Sequence, residues 1–305
     1  MSVLHIRVPA SSANLGPGFD TLAVAVNLHN RFEFQLTSSK ETRVEIQRGI
    51  DPSMHGLCLE MIRAAARYFF KQTGVSETHF LLKIENDVPI ARGLASSATL
   101  RLAVLIGLNE TLRAGLSDQE LVKTASELEV CTDNAAASFY GGLAASALVN
   151  GKLICYRFPV PETLDFIAVW PTESVVTEKA RTVFPKTVPY EDAVFNLSRS
   201  TLLALAFAQH DFEGIADLME DRLHQPYRQE KIPPLRPLSD VIRAAKSAGA
   251  FGGYLSGSGS TIMAIAPHCR EEVGRAMQEA FAAHGMKTEV RYLKADNEGI
   301  RFERH

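Results

Sequence analysis

Residues 249–261, read Gly-Ala-Phe-Gly-Gly-Tyr-Leu-Ser-Gly-Ser-Gly-Ser-Thr, place five glycines within eleven positions. That is too many for the interior of a helix or a strand, because glycine loses the most freedom on ordering and brings no side chain to pack. The chain must make a loop here, and the loop runs straight into the apolar strand Thr261–Ala266 (TIMAIA). Consecutive amides in such a loop can form an anion-binding nest; close helix-to-loop packing accounts for the glycines equally well.

Two further glycine-bearing stretches follow expected strands. Pro9–Asp20 (PASSANLGPGFD) comes after the alternating segment Leu4–Val8. Two glycines flanking Pro17 fix a tight loop, and Asn14 and Asp20 offer polar groups from that rigid frame, although a well-formed connecting turn would read the same way. Pro89-Ile90-Ala91-Arg92-Gly93-Leu94-Ala95-Ser96-Ser97-Ala98-Thr99 follows the strand Phe80–Ile84 and opens an apolar helix. Gly93 lets the backbone approach a ligand, and Ser96 and Ser97 suit the first helical positions. The open amides and positive dipole end of that helix make an anion site, one able to cradle phosphates without a lysine. An ordinary strand-to-helix turn with a serine cap is the alternative.

Several function classes are excluded. There is no G-x-x-x-x-G-K-[ST] loop, no H-R-D or D-F-G, and no G-x-S-x-G, so Walker NTPases, protein kinases and serine hydrolases of those types do not fit. A net charge of -3 with 22% charged residues gives no electrostatic case for nucleic acid or an acidic membrane surface, leaving a small molecule as the default substrate. Cys58, Cys131, Cys155 and Cys269 lie far apart with no C-x-x-C pair, and the nine histidines show no ligand spacing. No run of 18 apolar residues and no basic-then-apolar leader is seen, so the expected setting is cytoplasmic.

Hydrophobic period sets the remaining elements. Arg31–Leu36, Val44–Gln47, Phe166–Trp170 and Thr288–Leu293 read as strands, and Leu143–Val149 with Leu153–Phe158 as a hairpin around Asn150-Gly151. Leu57–Gln72, Ser96–Leu112, Asp118–Leu128, Ala193–Ala208, Phe212–Leu223, Leu238–Ala248 and Arg270–His284 read as helices. With 305 residues and 46% apolar content, this is an α+β chain with a sizeable core and a seam near residues 150–165.

Taken in order, PASSANLGPGFD, GLASSA and GYLSGSGSTIMAIA resemble the three motifs of the GHMP kinase superfamily over essentially the whole chain. TEKAR (177–181), FNLSR (195–199) and DRLHQPYR (221–228) are similar to the branch of that superfamily whose acceptor is homoserine. The resemblance implies a two-lobed fold. Residues 1–155 would form an S5 domain 2-like, ATP-binding lobe, and residues 156–305 a ferredoxin-like lobe. It implies ATP and Mg2+ as cofactors, phosphorylation of the side-chain hydroxyl of L-homoserine to O-phospho-L-homoserine on the route to threonine, and a homodimer with no nucleic acid or membrane partner. A GHMP kinase for another carboxylate-bearing alcohol, or a non-catalytic nucleotide-binding regulator, are the alternative readings.

Carried over position by position, the resemblance puts the ATP phosphates on Pro89–Thr99 and the metal on Glu127 (chosen over Glu129) and Ser97. Asp133, Asn134 and Ser97 would be catalytic, with Asp133 as the base. Arg181 and Arg228 would hold the acceptor carboxylate, with Asn14 and Asp20 at its amino and hydroxyl end and Cys131 and Gly257 beside it. This chain departs from the family pattern Glu-Gly-His-Pro-Asp-Asn, reading Glu129-Val130-Cys131-Thr132-Asp133-Asn134. Ala95 also stands where a glycine is common, which is harmless if its φ is negative.

Overall fold

The computed structural model describes residues 2–175, 180–212, 214–268 and 270–304. Thr177, Glu178 and Lys179 of the TEKAR segment, and Cys269, lie outside the described residues.

The first sheet is organised by two long strands, β1 (Leu4–Asn14) and β2 (Gly18–Thr37), which pair antiparallel in the register Leu4↔Phe34 and Ile6↔Phe32. Alternation sends Leu4, Ile6, Val8, Phe32 and Phe34 to one face, where they are buried. Strands β3 (Arg43–Arg48) and β4 (His79–Glu85) extend the sheet from the later half of β2. The hairpin β5 (Leu143–Val149) and β6 (Lys152–Phe158) extends it from the earlier half. Its turn, with Asn150 at φ +51 and Gly151 at φ +76, has the two left-handed positions that the Asn-Gly pair predicts. Packed on the buried face are α1 (His55–Thr73), α2 (Ser96–Leu112), α3 (Asp118–Glu129) and α4 (Asp133–Tyr140). Helix α2 is apolar nearly all round, as a helix at the centre of a core must be.

The second sheet has the order β10-β7-β9-β8, all antiparallel, with β7 (Asp165–Pro171), β8 (Gly252–Leu255), β9 (Ile262–Ala266) and β10 (Thr288–Leu293). Strands β7 and β9 are buried along their whole length because both faces are covered. On one face Ile167, Val169, Ile262 and Ala264 meet α8 (Leu238–Ser247) and α9 (Arg270–Ala283) through Val241, Ala245, Val273 and Phe281. On the other, Phe166, Ala168, Met263 and Ile265 share a core with Leu203 and Phe207 of α5 (Tyr190–Gln209), and with Leu22, Val24 and Val26 of β2. This shared core joins the lobes along the face that carries the first glycine-rich hairpin.

The chain leaves the first sheet after Phe158 and enters the second at Asp165, inside the expected seam. It then returns: β11 (Arg301–Arg304) pairs with β1, so the amino-terminal lobe also holds the chain's last strand. The expected helix Phe212–Leu223 shrinks to the single turn α6 (Ile215–Leu218). The Asp221 carboxylate stops it by accepting from the backbone N–H of Leu223, His224 and Gln225, which opens the new helix α7 (Gln225–Lys231) instead. Helix α4 and strands β8 and β11 were not expected from periodicity.

Two of the left-handed loop positions bear on the departures from the family pattern. Ala95, at φ +62, is left-handed rather than at negative φ, so glycine would be the cheaper residue there. Val130, at φ +69, closes α3 and is a β-branched residue in the same region while its side chain is 77% exposed. Because that side chain buries little, Val130→Gly should stabilise the fold by about 1 kcal/mol, seen as a higher thermal midpoint; a lower midpoint would show that Val130 is not strained.

Candidate active site

The three glycine-rich stretches meet at one cleft between the lobes. The first is not an irregular loop but the end of a hairpin: β1 runs through Ser11, Ser12 and Ala13 to Asn14, and β2 restarts at Gly18. The Ser12 hydroxyl lies 2.7 Å from the Ser256 hydroxyl and 3.0 Å from the Tyr254 hydroxyl. Ser256 in turn donates to the Gly93 carbonyl at 2.6 Å. A β-carbon at Gly93 would overlap the Ser256 carbonyl oxygen, and φ there is +78, so this contact requires glycine. Gly257 N–H donates to Ala13 O at 3.3 Å, and Thr261 N–H to Arg92 O at 3.1 Å.

The helix that follows Gly93 points its amino end into the cleft. Ala95 occupies the cap position of α2 and no side chain caps it, which removes the serine-cap alternative. The first backbone bond closing the helix is Thr99 N–H to Ala95 O, leaving the amides of Ser96, Ser97 and Ala98 outside the helix's own hydrogen-bond ladder. Ala91, Gly93, Ala95, Ser96 and Ser97 line the cleft. The rest of the expected phosphate loop packs: Leu94, Ala98 and Thr99 are buried, Ile90 leans on the first core, and Arg92 donates to the Thr172 carbonyl.

Ser97 Oγ donates to Glu129 Oε2 at 2.9 Å, and Arg101, one turn further along α2, forms an ion pair with the same carboxylate. Glu127 is not brought to the cleft. It accepts from the Tyr68 hydroxyl at 2.6 Å and pairs with Lys123 at 3.3 Å. The expectation of Glu127 over Glu129 is therefore corrected on geometry: residues two apart on a helix face different ways, and it is Glu129 that faces Ser97.

Deeper in the cleft Asp133 opens α4. Its Oδ1 accepts from Asn134 N–H at 2.5 Å, while Oδ2 is buried with no hydrogen-bond partner among the described residues. Burial, reinforced by the nearby Asp20 charge, pushes the Asp133 carboxyl up to about 6. Asn134 faces the hairpin, its Oδ1 accepting from Ser11 Oγ at 3.0 Å. Burial also pushes the Cys131 thiol upward, and the Asp133 charge adds to that, so it remains a thiol. Ligand atoms of Asp20, Cys131 and Asp133 lie within 4.8 Å of one another.

Asp20, at φ +57, and Arg181 form a bidentate pair across the lobes, Nη1 to Oδ2 at 2.9 Å and Nη2 to Oδ1 at 2.8 Å. This bond raises the Arg181 pKa further. Asn14, at φ +81, accepts from Asp20 N–H at 3.3 Å and donates to Gly257 O at 3.1 Å. Arg228 is buried and donates to the same Gly257 carbonyl at 2.8 Å; burial lowers its pKa to about 10. Left-handed non-glycine residues thus gather here, at Asn14, Asp20, Ala91, Ala95 and Val130, and such strain persists where surrounding structure fixes it for function.

The FNLSR and DRLHQPYR segments build the wall behind the arginines. Asn196 Nδ2 donates to Pro17 O at 3.1 Å and to Asp221 at 2.6 Å, tying α5 to the hairpin turn. Phe195 lies between the guanidinium groups of Arg199 and Arg222, at 3.4 and 3.9 Å from the ring centre. Sequence reasoning did not pick out Ser12, Ser256 or Phe19 as site residues; all lay within the quoted motifs, and only their contacts distinguish them.

This fold, with a helix end that no side chain caps beside a buried carboxylate, matches the family description "GHMP kinases N terminal domain" over residues 60–142 and "GHMP kinases C terminal" over residues 203–283. The homoserine kinase of Moorella thermoacetica is 39% identical over 296 residues, covering 96% of this chain and 98% of that protein. That of Halothermothrix orenii is 35% identical over 98% and 96%. The crystal structure of homoserine kinase from Cytophaga hutchinsonii superposes with a TM-score of 0.83 at 25% identity, over 99% of this chain and 98% of that one. Mevalonate kinase from L. major, in complex with R-mevalonate, shares the fold alone, with a TM-score of 0.68 at 17% identity. The chain is a two-lobed GHMP kinase. Within that class it belongs to the homoserine kinase family.

Asp133 bears on stability as well as chemistry. A carboxyl raised from its ordinary range to about 6 binds more protons folded than unfolded between those two values. Stability therefore falls as pH rises through that window, and above it the full cost of a buried charge is present. Asp133→Asn keeps an oxygen for Asn134 N–H and removes the charge, so at pH 7 it should gain on the order of 1–3 kcal/mol in denaturant unfolding. A clear loss of stability would mean that the charged form is satisfied in the fold.

Proposed function

We propose that this cleft transfers the γ-phosphoryl group of ATP to the side-chain hydroxyl of L-homoserine, giving O-phospho-L-homoserine. One observation carries the acceptor class. Asp20 and Arg181 stand side by side as a paired anion and cation, with buried Arg228 adjacent; together they complement the neighbouring ammonium and carboxylate of an amino acid. Asn14 and Gly257 hold that arrangement at the acceptor end. The amides of Ser96 and Ser97, with the backbone from Ala91 to Ala95, bind and orient phosphate oxygens.

Two acidic groupings are available for a divalent ion. Ser97 and Glu129 offer hard oxygens 2.9 Å apart beside the phosphate subsite, which suits Mg2+. The Asp20–Cys131–Asp133 grouping includes a protonated thiol, which does not. Ser97 and Glu129 would hold the ion, and a bound Mg2+ supplies charge neutralisation on the phosphates. Asp133 Oδ2, without a hydrogen-bond partner among the described residues, accepts the hydroxyl proton as the bond to phosphorus forms. Positioning does most of the rest in a loose transition state. A homodimer and a cytoplasmic setting complete this reading; the exposed apolar residues Leu197, Leu202 and Leu205 on α5 support the first.

A coupled ADP-release assay with Mg2+ should show strong, selective stimulation by L-homoserine over mevalonate, shikimate and L-threonine. Turnover with another alcohol alone would change the acceptor, and nucleotide binding without turnover on any alcohol would favour a regulator. Because Asp133 titrates at about 6, kcat/KM should fall as pH drops below that value. Glu129→Gln should lower kcat by about a hundredfold or more, with Glu127→Gln near wild type; the reverse order would restore Glu127. Cys131→His should lower the homoserine KM, and an unchanged KM would remove position 131 from acceptor recognition.

A further inference from the structure

His224 has no role in the reading above, yet it is a fully enclosed titratable residue near the acceptor end. Its side chain has no solvent exposure, and its ring stacks on Phe19 with centroids 5.0 Å apart and planes 17° apart. The two ring nitrogens face different partners. Nε2 lies 2.9 Å from the Gly16 carbonyl oxygen, which can only accept, so this nitrogen carries the proton. Nδ1 lies 3.2 Å from Arg228 Nη1, which can only donate, so this nitrogen presents its lone pair. The imidazole is thus neutral in a defined tautomer. Asp221, the nearest carboxylate at 3.6 Å, is already committed to three backbone amides. Burial and the Arg228 charge hold the ring's pKa down to about 4, against the pull of Asp221 and Asp20.

Arg228 has three further restraints: Nε donates to Ala180 O at 3.3 Å, Nη1 to Gly257 O at 2.8 Å, and the guanidinium lies over Phe19 and Phe184 at 5.4 and 5.0 Å. Nε and Nη1 are therefore taken by backbone and His224, while Nη2 makes no hydrogen bond among the described residues. With Nε and Nη1 both engaged, the plane of the guanidinium is fixed, and the N–H groups left for a ligand are those of Nη2.

We propose that His224 is a positioning residue for acceptor recognition: held by the Gly16 carbonyl and the Phe19 ring, its neutral Nδ1 accepts from Arg228 and fixes the plane in which that guanidinium meets the acceptor carboxylate. The inference rests on the homoserine reading. It links the first glycine-rich hairpin to the DRLHQPYR helix through one side chain. It also explains why a histidine, which can donate at one end and accept at the other, stands between a carbonyl and an arginine.

Kinetics of His224→Leu should show a homoserine KM raised about tenfold to a hundredfold, with kcat within about threefold and the ATP KM unchanged, as expected for a lost bond to a charged group. His224→Gln, which keeps a donor and an acceptor, should recover part of the loss. A wild-type homoserine KM in the Leu variant, or equal rises in both KM values, would overturn the positioning role. Long-range 1H–15N correlations of the wild-type ring provide an answer that needs no turnover. They should give the Nε2–H tautomer at pH 7, with the Nδ1 signal moving in Arg228→Lys. A protonated ring or an Nδ1–H tautomer would overturn the proposal even if the Leu variant fails to fold. Absence of homoserine turnover by wild type would defeat the acceptor reading instead, while the ring spectrum still decides the His224–Arg228 bond.

Discussion

The hydroxyl of Ser256, bonded at once to Ser12 and to the Gly93 carbonyl, is the contact on which the site depends. It joins three segments that are about 80 and 160 residues apart in sequence, and it does so where no solvent reaches. A buried hydroxyl without partners would cost free energy, so the three segments stabilise one another only when all are in place. The approach is close enough that Gly93 tolerates no β-carbon. Its amide geometry then sets the start of α2, and with it the direction of the helix amino end that faces the cleft. Lobe contact and the placing of that helix end are therefore one structural event.

The same cleft holds charge in an uneven balance. Asp20 and Arg181 satisfy each other, and Glu129 is compensated by Arg101, but Asp133 keeps one buried oxygen without a hydrogen-bond partner among the described residues. A core optimised for stability alone would not keep that oxygen. In the proposed function it provides a proton acceptor poised near neutral pH, next to the pair proposed to meet an amino acid. The left-handed residues along the rim are a second cost of the same kind, tolerated because loops on both lobes fix them.

Much of this was legible in the residues. The three glycine-rich stretches, the Asn-Gly hairpin, the long helices and the arginines at 181 and 228 follow from local pattern and family resemblance. What escaped was decided by contacts across the chain. The Phe212–Leu223 segment has helical periodicity, but Asp221 spends its carboxylate on three amides beyond the first turn and starts α7. Helix α4 is eight residues with a run of alanines, too short to announce itself, and is held by packing. At position 95 the family's usual glycine hinted at a left-handed backbone, but the alanine itself did not show the φ of +62. Glu127 and Glu129 were separable only once the facing helix, with Ser97 and Arg101, was known; sequence spacing shows that they point apart but not which one meets a partner.

Transfer to one particular oxygen is the claim on which every residue role here converges. Phosphorus–proton correlation spectra of the product formed from ATP and L-homoserine test it most directly. The new phosphorus signal should couple to the terminal CH2 protons of the acceptor side chain. Inorganic phosphate as the sole new species, or a phosphorus with no coupling to those protons, would contradict it.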